Sequence, residues 1–117
     1  MRDYRKLLVF QKADAIVLRI FEVSCAFPKS EILGLTSQMR RAAVSVPSNI
    51  VEGSSRPTDK EYVRFLGIAY GSARELNYQI TLPSRLGWIS VKDADVLMSQ
   101  CDEVCAMITG LVRSLGE

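Results

Sequence analysis

One stretch constrains the chain more than any other: Gln38-Met39-Arg40-Arg41-Ala42-Ala43-Val44-Ser45-Val46-Pro47-Ser48-Asn49-Ile50-Val51-Glu52-Gly53, followed by Ser54, Ser55 and Arg56. Leu35, Met39, Ala42, Ala43, Val46 and Ile50 recur at helical spacing and form one apolar stripe. The stripe keeps its phase across Pro47, so the spacing predicts one helix kinked there. The proline ring cannot donate to the Ala43 carbonyl, and it disfavours helical angles at Val46. Gly53 is expected to stop the helix. Gln38, Ser45, Asn49, Glu52 and Arg56 line one flank of the stripe. Glu52 falls in the last turn, where the helix dipole disfavours an anion, so a cationic partner is expected. Arg56, four residues on, is the near one, with Glu before Arg in the better order.

Three more helical patterns surround this one. The first runs from about Leu8 to Phe27 with Val9, Ala13, Ile16, Val17, Ile20, Ser24 and Phe27 inward, and Pro28 ends it. Thr58-Asp59-Lys60-Glu61 opens a third helix as a capping box, with Tyr62, Phe65, Leu66, Ala69, Ala73, Leu76, Ile80 and Pro83 on its core face. That helix ends at Gly87 and would be about 40 Å long. Ser90-Val91-Lys92-Asp93 opens a fourth, whose stripe runs from Ala94 to Leu115. No alternating run argues for a strand. Short connections between such helices predict a single all-α domain over residues 1–117, an antiparallel up-down-up-down four-helix bundle.

Several function classes recede on composition. The chain has no histidine, which removes the usual general base near neutral pH and any Ser-His or Cys-His pairing. Cys25, Cys101 and Cys105 are sparse and odd in number, which suits a reducing cytoplasm. Cys101 and Cys105 share a helix face, but two thiols without histidine do not make a zinc site, so no metal or cofactor is expected. Gly53-Ser54-Ser55 lacks the Gly-Lys-Ser/Thr of a phosphate-binding loop. No apolar run is long enough to cross a bilayer, so no membrane partner is expected.

Charge is unevenly placed. Residues 1–41 hold eight basic and four acidic side chains, whereas residues 92–117 hold two and five. Arg5, Lys12 and Arg19 lie seven apart and share one edge, and Arg40 and Arg41 adjoin on the central helix. The net charge of +2 is too small to argue nucleic-acid binding by itself. These edges read either as solvated flanks or as phosphate contacts repeated around an assembly.

The central stretch also resembles the pattern Q-x-R-R-A-A-x-S-I-P-x-N-I-x-E-G of the bacterial four-helix bundle proteins encoded within intervening sequences of large-subunit ribosomal RNA genes. The resemblance extends through Tyr62 to Leu76, and takes in Val9 to Ala13, Phe27-Pro28 and Leu86-Gly87-Trp88. Pro83 departs from the pattern. Relatives of that family include accessory proteins of diversity-generating retroelements, which form pentameric barrels and work with a reverse transcriptase and its nucleic acid. The resemblance therefore implies a homo-oligomer, a pentamer, that engages RNA, DNA or a nucleic-acid-processing protein. Gly67 and Gly71, off the core stripe of the third helix, with Ile68 and Leu82, are the expected interface, against the alternative of two glycines on a solvated face. The unlike charges of the first and fourth helices suit a head-to-tail contact. The competing reading is an enzyme or ligand-binding protein using the Asn49, Glu52 and Arg56 cluster, in which the carboxylate is a base and the arginine binds an anion.

Overall fold

The computed structural model describes residues 2–116. Four helices fill it: α1 (Leu8–Ser24), α2 (Leu35–Ser54), α3 (Asp59–Arg85) and α4 (Val91–Ser114). Short 3-10 turns at Tyr4–Lys6 and Lys29–Glu31 precede α1 and α2. No strand occurs among the described residues. Each helix packs on its two neighbours in the cyclic order α1, α2, α3, α4. Rising numbers on one helix meet falling numbers on the next. Lys12 faces Glu103 while Arg19 faces Asp93, and Ser45 meets Ser72 while Gly53 meets Phe65. The result is the antiparallel four-helix bundle, 43 Å long and 24 by 20 Å across.

The helix ends follow local chemistry. The Thr58 hydroxyl accepts from the Glu61 amide at 3.2 Å, and the Ser90 hydroxyl accepts from the Asp93 amide at 3.0 Å. Gly87 closes α3 in the left-handed region, φ +76°, so that Trp88 N–H donates to the Pro83 carbonyl at 2.8 Å. Trp88 then packs on Phe27, ring centroids 5.6 Å apart, tying that turn to the end of α1. Pro83 is buried within α3, which continues to Arg85.

Three expectations change. The helix of α1 stops at Ser24 rather than Phe27, because Cys25, Ala26 and Phe27 bond back only three residues on approach to Pro28. Arg5 consequently lies before α1, in the first 3-10 turn, and does not continue the helical edge of Lys12 and Arg19. Gly53 does not stop α2 by a left-handed turn; it is a buried helical residue and the helix runs one residue further. A Cβ at Gly53 would lie 2.9 Å from Phe65 Cβ and 3.0 Å from Tyr62 Cδ1, so glycine is there to let α3 approach. Through Pro47 the helical assignment of α2 is unbroken.

One core joins all four helices, with Ile20, Met39, Ile50, Leu66, Ile80, Leu97 and Val104 fully buried. At its middle, each helix contributes a small residue and a larger one three positions on: Ala13 and Ile16, Ala43 and Val46, Ala73 and Leu76, Cys101 and Val104. These eight surround a residual void of about 10 Å³. At this waist small residues from all four helices face one another.

Candidate functional site

At the lower end of α2, Glu52 and Arg56 form an ion pair at 2.9 Å, one helical turn apart and partly exposed. The Arg56 guanidinium also lies over the Phe65 ring at 5.1 Å. Arg2 closes the same corner. It donates to the Arg56 carbonyl at 2.9 Å, lies over the Tyr62 ring at 4.4 Å and pairs with Asp59. Burial pushes the Tyr62 phenol upward, opposed by Arg2. A hollow beside the turn is lined by Arg2, Ser54, Ser55, Arg56 and Pro57. Neither Glu52 nor Asn49 lines it.

Asn49 does not join this corner. Its amide turns back one helical turn, donating to the Ser45 carbonyl at 2.8 Å and to the Ser45 hydroxyl at 3.0 Å. The structure therefore separates Asn49 from Glu52 and Arg56, because an asparagine amide on a helix satisfies itself most readily on the preceding turn. What Asn49 braces is a polar seam: Ser45 Oγ and Ser72 Oγ lie 2.7 Å apart across α2 and α3.

Above that seam an open polar groove of about 440 Å³ runs between α2 and α3, lined by Gln38, Arg41, Ala42, Ser45, Ser72 and Glu75. The Gln79 amide, only 4% exposed, donates to the Glu75 carboxylate at 3.1 Å. Around the other side of Arg41, toward α1, is an apolar groove lined by Phe21, Arg40, Arg41, Val44 and Ser45. There the Arg40 guanidinium lies over the Phe21 ring at 4.8 Å and its Nε donates to Ser24 at 2.9 Å. The flank of Gln38, Ser45 and Asn49 was legible in the sequence. Its α3 wall, Ser72, Glu75 and Gln79, was not singled out, although their spacing of three and four places them on one face.

The basic edges fare differently. Arg5 pairs with Asp3 at 3.0 Å, which holds the Asp3 carboxyl below its usual range. Lys12 pairs with Glu103 at 3.5 Å; Arg19 pairs with Glu22 and, at 3.3 Å, with Asp93. The acidic fourth helix thus neutralises the edge of α1 within the chain. Arg40 and Arg41 have no carboxylate partner among the described residues.

Gly67 and Gly71 are exposed on α3, and a Cβ at either would meet nothing within 4 Å. Ile68 beside them is exposed and Leu82 half-buried. Gly67 also lines an apolar groove of about 320 Å³ with Tyr70, Ile108, Thr109, Val112 and Arg113, between α3 and α4. Among the described residues no three His, Cys, Asp or Glu side chains converge as a metal site. No helix of the described residues is long and apolar enough to cross a membrane. Burial pushes the Cys101 thiol up to about 12 and raises that of Cys105 too, so neither is a nucleophile near neutral pH.

Comparison with known proteins bears on this geometry. The 23S rRNA-intervening sequence protein family matches over residues 5–110, nearly all of the bundle. The chain belongs to that family. Its fold is shared with a solved protein of unknown function from the S23 ribosomal protein family of Bacteroides thetaiotaomicron, TM-score 0.83 at 19% identity, covering 90% of this chain and 98% of that one. At that identity the likeness shows the fold. Among curated proteins no significant match exists. The matched residues include all of α2, which contributes to both grooves, and the Glu52–Arg56 pair at its end.

Proposed function

We propose that this member of the 23S rRNA-intervening sequence protein family is a non-enzymatic assembly module of the cytoplasm. Copies associate head to tail into a ring, of five by the resemblance drawn from the sequence. The assembled ring engages RNA or DNA, or a protein that processes them.

The observation that carries the assembly half is the bare outer face of α3. Two mid-helix glycines, each costing about 1 kcal/mol relative to alanine, have empty space where a side chain would be. An apolar groove adjoins them. Such a surface accommodates a closely approaching helix. The charge split no longer supports a head-to-tail contact, because Lys12 and Arg19 find their carboxylates inside the chain. Unlike apolar surfaces support it instead: the α3–α4 groove on one side and the Phe21–Val44 groove between α1 and α2 on the other.

Against catalysis at Asn49, Glu52 and Arg56 stand the closed ion pair and the turned-away amide. For phosphate contact the unpaired Arg40 and Arg41 replace Arg5, Lys12 and Arg19 as the carriers. The test has two parts. Sedimentation at high and low protein concentration reads the oligomer. Fluorescence anisotropy with labelled single- and double-stranded RNA and DNA, at two salt concentrations, reads nucleic acid. A monomer at high concentration ends the assembly reading. Absence of binding at low salt by a verified oligomer leaves a protein partner only.

A further inference from the structure

Arg41, proposed above for phosphate contact, also lines the polar groove between α2 and α3, where Glu75 stands on the other wall. Two opposite charges line it without meeting. Arg41 on α2 has no ion pair and no side-chain hydrogen bond among the described residues, and Glu75 on α3 has no cationic partner. Both side chains are exposed. Glu75 is nonetheless placed: the buried Gln79 amide donates to its carboxylate at 3.1 Å, from the next turn of α3. Gln79 Oε1, itself buried, has no hydrogen-bond partner among the described residues. The floor between the two charges is built of hydroxyls, Ser45 and Ser72 at 2.7 Å, and Asn49 fixes the first of these from below. Ala42 supplies the one apolar wall.

From this arrangement we infer that the groove is a binding site for a small zwitterion, an amino acid in the general sense of a molecule with one carboxylate and one ammonium group. The carboxylate goes to the Arg41 guanidinium, whose planar fork matches it with two parallel hydrogen bonds. The ammonium goes to Glu75. Its three donors suit the Glu75 carboxylate oxygens. Backbone and hydroxyl groups of the ligand meet Ser45, Ser72 and Gln38. The open groove of about 440 Å³ has room for a molecule of amino-acid size, and walls this polar select against an apolar ligand. A ligand bearing one charge alone satisfies one side of the groove and leaves the other unmatched. Arg41 and Ser45 also line the α1–α2 groove proposed for the ring, so binding is measured on protein whose oligomeric state sedimentation has fixed.

The experiment is isothermal calorimetry on the intact protein at neutral pH. The probes are glycine, β-alanine, 4-aminobutyrate and 6-aminohexanoate, whose charge separation grows stepwise, with the twenty protein amino acids as a second panel. Acetate and ethylamine are the singly charged controls. One range of charge separation should bind at least tenfold more tightly than either control. Arg41→Gln and Glu75→Gln should each remove that preference, and the exchange R41E with E75R should restore part of it. Circular dichroism spectra establish that these surface variants fold. The inference is overturned if no zwitterion binds at millimolar concentration. It is equally overturned if acetate or ethylamine binds as well as the best zwitterion, or if both single variants retain the wild-type preference.

Discussion

Two glycines show how far a single residue's role depends on what lies opposite. A Cβ at Gly53 would meet Phe65 Cβ at a distance real Cβ atoms essentially never show, with Tyr62 Cδ1 and the Tyr62 carbonyl tight beside it at 3.0 and 3.2 Å. Replacing it by alanine gains helix propensity of about 1 kcal/mol but forces α2 and α3 apart. The overpacking cost of about 1–3 kcal/mol wins, so Gly53→Ala should lower stability in urea unfolding. Gly110, exposed on α4 with nothing within 4 Å, is the opposite case. Gly110→Ala should raise stability by about 0.5–1 kcal/mol in the same measurement. At the corner of α2, Glu52→Gln should cost less than about 1 kcal/mol, because the pair is partly exposed and salt already screens it. A loss well above that in thermal melts would mean that Glu52 supports more than Arg56. The ion pair could be anticipated from a spacing of four in sequence. The closeness of Gly53 to α3 could not, since nothing in α2 alone records which residues of α3 lie opposite.

At the scale of the elements, α4 contributes a distinct alkaline behaviour. Cys101 keeps its proton in the folded chain up to about pH 12, chiefly through burial, whereas an exposed thiol ionises near 9.0. Between those values the unfolded chain binds fewer protons, so stability must fall as pH rises; below 9 the thiol contributes no slope. The decline is at most about 1.4 kcal/mol per pH unit. Tyr62, also raised by burial, adds in the same direction. Urea midpoints should hold nearly level from pH 8 to 9 and decline from pH 9 to 11, and Cys101→Ala should flatten the decline. A thiol reagent at pH 8 should modify Cys25 in the native protein, and all three thiols only after unfolding. The inward stripes of the four helices were readable because burial imposes a period of 3.6 that survives in sequence. The helix pairings of charge were not. Lys12 finds Glu103 and Arg19 finds Asp93 on a bundle neighbour far away in sequence, so the basic edge looked free only while its partner helix was unplaced. The α2–α3 groove was half legible for the same reason, its α2 wall standing in one run and its α3 wall in another.

For the whole molecule, the proposed ring makes separate demands on α3 and α2. Gly71→Leu should shift sedimentation toward the monomer while leaving the helical spectrum unchanged, with Gly110→Ala as the neutral control. Arg41→Gln should weaken any nucleic-acid binding several-fold and reduce its salt dependence, whereas Arg19→Gln should not, since Arg19 is already occupied by Glu22 and Asp93. The waist adds a consequence for motion. Where Ala13, Ala43, Ala73 and Cys101 face one another at the middle of the rod, all four are buried and the amide protons lie far from the fraying ends. Breathing must begin at the two ends and arrive there last. Deuterium should therefore enter slowest around Ala43–Val46 and Ala73–Leu76, at the rate of global unfolding. Ser45 and Ser72, the floor of the polar groove, belong to that same level. The groove thus has a stationary base beneath long, mobile charged rims, and whatever occupies it is gripped by side chains that adjust while the backbone does not.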